Sequence, residues 1–78
     1  MNPEALKRLR LLAGLSQYEL ARRAGIAPDT ISRVERGERT LVRSDTLAAI
    51  SQVLAAALPG RDKGQIMAEL TDNEPVPA

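Results

Sequence analysis

Apolar residues recur along most of this 78-residue chain at three- and four-residue intervals, the spacing that places side chains on one face of an α-helix. In the first such stretch, Leu6, Leu9 and Ala13 fall on one face. The pattern predicts helices over about residues 3–13, 17–24, 28–36, 45–58 and 61–71. We therefore expect an all-α fold, a compact bundle of four to five short helices.

Signals for helix ends agree with these stretches. Ser16 and Glu19 have the S-x-x-E spacing of a capping box, in which each side chain satisfies a backbone N–H at a helix start. Gly25 can take the left-handed conformation that ends a helix, and Pro28 suits the first position of the next helix. Two helices joined by so short a turn form a helix-turn-helix, whose second helix can enter a DNA major groove.

Two charged residues fall on the inner faces of predicted helices. Arg10 shares a face with the first apolar stripe, and Glu35 lies inward on the third helix. A buried guanidinium needs a partner. We predict a salt bridge between Arg10 and Glu35 that specifies the fold and has no direct role in binding.

Composition narrows the possible chemistry. The chain has no cysteine and no histidine, which excludes disulfides, thiolate–metal sites and histidine-based acid–base catalysis. No glycine-rich phosphate loop is present, so we expect no enzyme activity, no metal site and no cofactor. No apolar run approaches the length of a membrane span, and the start of the chain has no signal-peptide pattern. We expect a cytoplasmic protein without a membrane partner.

Charge is distributed unevenly although the net charge is only +1. Residues 1–60 hold nine Lys and Arg against six Asp and Glu, whereas residues 61–78 hold two against four. Most of the basic residues are arginines, which bind phosphate well when clustered. This distribution favours an anionic partner for the first part of the chain.

Several short motifs, read in order, resemble the lambda-repressor-like (Cro/repressor, XRE-type) helix-turn-helix DNA-binding domains. The resemblance covers Leu6 to Leu54 and rests on L-x-x-L-R, G-L-S-Q-x-E-L-A, A-G-I-A, I-S-R-V-E-R-G and T-L-x-x-I. It implies a five-helix bundle that binds operator DNA as a symmetric dimer. In some members of that family, a salt bridge occupies the positions of Arg10 and Glu35.

The resemblance also implies which side chains face DNA. Gln17 matches a residue that contacts a phosphate and braces the recognition helix, although it could be merely solvated. Arg33 is the first choice for reading a base, because its fork matches guanine O6 and N7. The remaining groove-facing candidates are Tyr18, Ala27, Pro28, Asp29, Thr30, Ser32 and Arg36.

Pro28 and Asp29 depart from the long amides that often open this helix in the family. Asp29 places a carboxylate towards a polyanion, and three explanations stay open. It can hold Arg33 through an i,i+4 pair, accept a hydrogen bond from a cytosine amine, or stabilise its own helix dipole. The departure leaves the target sequence open.

Arginines also follow the recognition helix, at positions 36, 39 and 43. Family members use this region against the DNA backbone. Arg43 is the better candidate for insertion into the minor groove, and Arg39 for a phosphate contact. Each could equally be a solvated loop residue.

We expect the chain to divide into a DNA-binding domain, residues 1–60, a C-terminal helix within 61–72, and a disordered tail, 73–78. An apolar stripe at the end of the fourth helix and on the fifth could pack onto the domain or meet a second subunit. For the dimer interface we expect Leu54, Leu58, Ile66, Met67 and Leu70.

The leading hypothesis is a sequence-specific, repressor-like transcriptional regulator. It would bind a palindromic operator in double-stranded DNA as a homodimer, with helix 28–36 in the major groove. The alternative is an antitoxin or other protein-interaction module. Such a module would bind a protein partner through the acidic C-terminal segment, and its DNA binding would be secondary.

Overall fold

The computed structural model describes residues 1–39 and 41–72, and within them it contains five α-helices and no strand. The predicted all-α bundle is confirmed. The expected disordered tail, residues 73–78, lies outside the described residues. The helices are α1 (Pro3–Leu12), α2 (Gln17–Ala24), α3 (Pro28–Glu35), α4 (Ser44–Ala57) and α5 (Lys63–Thr71).

The helix ends follow the capping chemistry of the sequence. Asn2 caps α1 through its side chain, and Ser16 and Glu19 form the predicted capping box of α2. A second capping box, between Asp62 and Gln65, was not foreseen. It starts α5 two residues later than predicted, because Asp62 is the cap and Lys63 the first helical residue. The other ends agree with the prediction to within one residue.

The core receives fully buried side chains from every helix: Leu6 and Leu9 of α1, Leu20 of α2, Ile31 and Val34 of α3, Ile50 and Leu54 of α4, and Ile66 and Leu70 of α5. The fifth helix packs mainly on α4 and also meets α1. It therefore completes the same core as the helices of residues 1–60.

Burial corrects part of the expected dimer interface. Leu54, Ile66 and Leu70 have no exposed surface in the single chain. They fill the chain's own core and offer no surface to a second copy. Leu58 and Met67 are half-buried and remain the accessible members of the expected set.

Polar contacts also attach α5 to the start of the chain. The Asn2 backbone N–H donates to the Leu70 carbonyl at 2.6 Å. The Glu69 carboxylate lies 3.0 Å from Arg61 Nη1 and 3.6 Å from Arg8 Nη2. The contacts of Asn2 and Arg8 hold α5 against α1, and Arg61 ties the segment before α5 to the helix itself.

The predicted Arg10–Glu35 salt bridge is present and joins α1 to α3. Arg10 Nε donates to Glu35 Oε2 at 2.7 Å, and Nη2 donates to Oε1 at 2.9 Å. Only 9% of the Arg10 side chain and 5% of the Glu35 side chain are exposed. Arg10 Nη1 also donates to the Leu15 carbonyl at 2.9 Å. One guanidinium therefore links α1, the turn after it, and α3.

Glu35 has a third donor, the Gln17 side-chain amide, at 3.2 Å. The hydrogen bond to Glu35 is the main cause that raises the pKa of the Arg10 guanidinium above its ordinary value, while burial opposes the shift. The three side chains fix how α2 and α3 are placed relative to α1. We refer to Arg10, Gln17 and Glu35 as the central polar cluster.

Removal of the Arg10 side chain is expected to destabilise the fold strongly. Arg10→Ala leaves the Glu35 carboxylate buried with only the Gln17 amide beside it, and breaking such a pair on one side costs about 3–5 kcal/mol. Urea denaturation followed by circular dichroism measures the change. Arg8→Ala, which removes the same charge from an exposed site on the same helix, should cost less than about 1 kcal/mol.

A double variant separates the cost of an unpaired charge from the worth of the pair. Arg10→Met combined with Glu35→Leu removes both charges and keeps similar volumes, so it should be clearly more stable than Arg10→Ala. Recovery should be partial, because the Leu15 carbonyl loses its donor. An Arg10→Ala protein as stable as wild type would contradict this role for the cluster.

Candidate nucleic-acid interface

The turn between α2 and α3 has the geometry that the helix-turn-helix requires. Gly25 takes a left-handed conformation with φ +72°, and the Ile26 N–H donates back to the Ala21 carbonyl at 3.0 Å. A side chain at Gly25 would be strained in that conformation. Residue 28 already begins α3. The glycine therefore ends α2 and lets α3 begin three residues later, in contact with α2.

The two faces of α3 have separate environments. Ile31 and Val34 are fully buried, and Glu35 is held in the central polar cluster. Thr30 and Ser32 are half-buried, and the predicted groove-facing residues that are exposed are Ala27, Pro28, Asp29, Arg33 and Arg36. The inner face locks the helix to the bundle and leaves the outer face free to meet a ligand.

Arg33 is held by an acid of its own helix. Its Nε atom lies 2.7 Å from Asp29 Oδ2, an i,i+4 pair in which both side chains are more than half exposed. The i,i+4 pair predicted for Asp29 is therefore present, and Asp29 also lies in the first turn of α3, where a carboxylate stabilises the helix dipole. The contact involves Nε, and the two terminal nitrogens of the guanidinium carry four further N–H donors.

The arginines after α3 have local partners that the sequence reading missed. Arg36 Nε pairs with Glu38 two residues on, and Arg43 Nη2 lies 3.3 Å from Asp45 Oδ2. Arg39 Nε donates to the Leu41 carbonyl at 3.4 Å. Acids two residues from arginines in an irregular stretch could have suggested these pairs, although such spacing alone does not specify a contact.

At the start of α2 the two predicted contact residues have different roles. Gln17 is half-buried and its amide is engaged with Glu35, so it braces α3 as the resemblance implies. Tyr18 is 61% exposed. Its ring is available at the same end of α2, beside the first backbone N–H groups of the helix.

The acidic residue of the α2 capping box, Glu19, is hydrogen-bonded in a way that favours its ionised form. The Ser16 N–H donates to Glu19 Oε1 at 3.2 Å, and Ser16 Oγ accepts from the Glu19 N–H at 3.0 Å. The Ser16 backbone bond, followed by its side-chain bond, lowers the pKa of the Glu19 carboxyl below its ordinary value. Ionised Glu19 therefore stabilises the start of the helix that carries Gln17.

No group of acids within residues 1–39 and 41–72 is arranged to hold a metal ion. Among the same residues, no helix combines the length and apolar character needed to cross a membrane. The acidic C-terminal segment is described only as far as Asp72, and its Glu69 is paired with Arg61 and Arg8.

Comparison with known proteins assigns the sequence that contains α2 and α3 to a family. The helix-turn-helix family model matches residues 6–58. No curated protein and no solved structure matched the chain. The chain belongs to the helix-turn-helix family of the XRE or lambda-repressor-like type. Membership implies a DNA-binding transcription regulator, and domains of this family are typically non-enzymatic.

The capping box should make the stability of the fold depend on pH, because Glu19 loses its charge in acid. Glu19→Gln keeps an acceptor oxygen for the Ser16 N–H but cannot ionise. Because the folded pKa is lowered, the carboxylate stabilises the fold above its unfolded pKa of about 4.3, and the contribution is lost as pH falls through the folded pKa. Wild type should therefore melt above the variant near neutral pH. In thermal melts across a pH series, this difference should shrink in acid; a constant difference would contradict the role of the carboxylate.

Proposed function

We propose that this helix-turn-helix protein is a sequence-specific, repressor-like regulator that binds a palindromic operator as a homodimer. The observation that carries the proposal is the division of α3. Its inner face is fixed by Ile31, Val34 and Glu35, while its outer face presents Arg33, braced by Asp29, to the surroundings. A rigid helix with an exposed arginine fork fits a major groove.

Base reading is assigned first to Arg33. Its Nε edge rests on Asp29, so the terminal nitrogens can donate to guanine O6 and N7 as a preorganised pair. Ser32 can exchange a hydrogen bond with a base or phosphate, and Thr30 can contact a phosphate or a thymine methyl. Ala27, exposed just before α3, offers an apolar contact to a thymine methyl.

Backbone contacts are assigned to the start of α2 and to the segment after α3. Tyr18 and the first N–H groups of α2 suit a phosphate oxygen, since a helix N-terminus attracts anions. Arg36 and Arg39 suit phosphates, and Arg43 suits a narrow minor groove. Gln17 supports these contacts indirectly through Glu35, with its second amide hydrogen left for a phosphate.

A homodimer would place two copies of α3 about 34 Å apart, one helical turn of DNA. We propose that the α4–α5 end supplies the interface through Leu58 and Met67. Both side chains are half-buried in the single chain, and pairing with a second copy would remove their remaining apolar surface from water.

Two arginine variants should have different effects on DNA binding. Arg33→Ala should relax preference at one base position and cost about 1–3 kcal/mol there. Arg43→Ala should weaken binding to all sequences and reduce the salt slope by about 0.9. Fluorescence anisotropy with duplexes selected from a random library, over a salt series, measures both effects.

Lys63→Ala is the matched control, because it removes one exposed positive charge from α5. It should leave both base preference and salt slope close to wild type. If Arg33→Ala and Arg43→Ala bind every duplex like this control, the assignment of the DNA-facing residues is wrong. If wild type binds no duplex even at low salt, the protein-interaction alternative replaces the proposed function.

The dimer is tested by a point substitution, because removing α5 would expose the core around Ile66 and Leu70. Met67→Glu places a charge in the proposed interface and should shift the dimer to monomer in sedimentation equilibrium. Gln65→Glu adds the same charge to the same helix and keeps an acceptor for its capping box. It should remain a dimer.

Dimers of equal strength in both variants would place the interface elsewhere. If the wild-type protein is a monomer both when bound to DNA and when free in solution, the homodimer is removed from the proposal. A single half-site would then be the unit that the protein reads.

A further inference from the structure

Three of the four arginines on and after α3 are paired with acids of the chain itself. We call these four arginines and the three acids beside them the reading surface: Asp29, Arg33, Arg36, Glu38, Arg39, Arg43 and Asp45. Its four positive and three negative charges leave a net charge of only +1. A surface that binds DNA by electrostatic attraction alone would hold few acids, because each carboxylate repels phosphates.

The pairs are too exposed to serve the fold. Side chains in all three, Asp29–Arg33, Arg36–Glu38 and Arg43–Asp45, are more than half exposed, and exposed ion pairs contribute little to stability. None of the three acids takes part in the central polar cluster. Their consequence must therefore be sought in how the arginines meet a ligand.

We infer that Asp29, Glu38 and Asp45 are specificity-determining residues that suppress binding to random DNA. This inference rests on the proposed function. Each acid lies beside its arginine and favours one orientation of the guanidinium, and an arginine in that orientation can serve a site that matches it. A random duplex does not present groups that match this orientation, so an arginine that turns to one of its phosphates leaves its acid, and the freed carboxylate then faces the polyanion.

The geometry of the Arg33 pair fits this difference between a matching duplex and a random one. The contact to Asp29 uses Nε, and a guanine needs two donors of the fork in a plane. Arg33 can therefore read a guanine without breaking its pair. Free to rotate, the same side chain would reach phosphates at many positions, and such contacts carry no sequence information.

Counterion release gives the size of the effect. With a slope of about 0.9 per charge, one additional effective positive charge strengthens random binding about fivefold at about 0.15 M salt. Asp29→Asn, Glu38→Gln and Asp45→Asn should each approach that gain on random DNA. The triple variant should approach about a hundredfold. A matching duplex should gain less, because its arginines lose the acids that orient them.

The experiment compares two duplexes for each protein. One is selected by wild type from a random library, and the other is a scrambled duplex of the same composition. Affinities are measured by fluorescence anisotropy over a salt series, with thermal melts to verify folding. We expect the selected-to-scrambled affinity ratio to fall by up to about fivefold per acid removed. Asp29→Glu, which keeps a carboxylate near Arg33, should retain the wild-type ratio.

Glu4→Gln is the matched control, since it raises the net charge equally from an exposed position at the start of α1. It should leave the ratio unchanged. An unchanged ratio in the three acid variants, with both duplexes gaining equally, would overturn the inference while the proposed function stands. A wild type that selects no duplex would overturn the proposed function, and this inference with it.

Discussion

The buried Arg10–Glu35 pair is the interaction on which the position of the recognition helix depends. It connects the first and third helices across 25 residues of chain through two hydrogen bonds, and it recruits the Leu15 carbonyl and the Gln17 amide. Two charges cannot leave water without such complementary partners. The pair therefore excludes alternative placements of α3 that equally apolar packing would allow.

The other two helices pack on the helices that carry this cluster. Helix α4 packs against both α2 and α5, and α5 meets α1. The apolar side chains of α5 extend the small core of a 78-residue chain, for which every buried residue counts. Because Ile66 and Leu70 are needed inside, α5 offers only its outer edge to any second copy.

Much of this arrangement follows from the sequence, for reasons specific to each element. Helical spacing and local caps predict five helices because both signals act within a few residues. Arg10 and Glu35 could be paired because both are charged at inward positions. By contrast, an apolar stripe on α5 does not reveal whether its own chain or a second copy covers it. Arg36 and Arg43 lie outside the helices. Outside a helix, the spacing of two residues in the sequence does not tell whether their side chains point towards each other.

The structure separates the residues that hold α3 from the residues that would read DNA. Ile31, Val34 and Glu35 stabilise the helix within the bundle, whereas Asp29 and Arg33 form an exposed pair that the core does not require. Under the proposed function, substitutions on the outer face would therefore change base preference with little loss of stability, because exposed ion pairs contribute little to folding. Pro28 and Asp29, which open the helix unlike the amides frequent in its family, lie on that unconstrained face. If α3 reads DNA as proposed, a change of target sequence would need substitutions only at the start of α3, and the central polar cluster would stay the same.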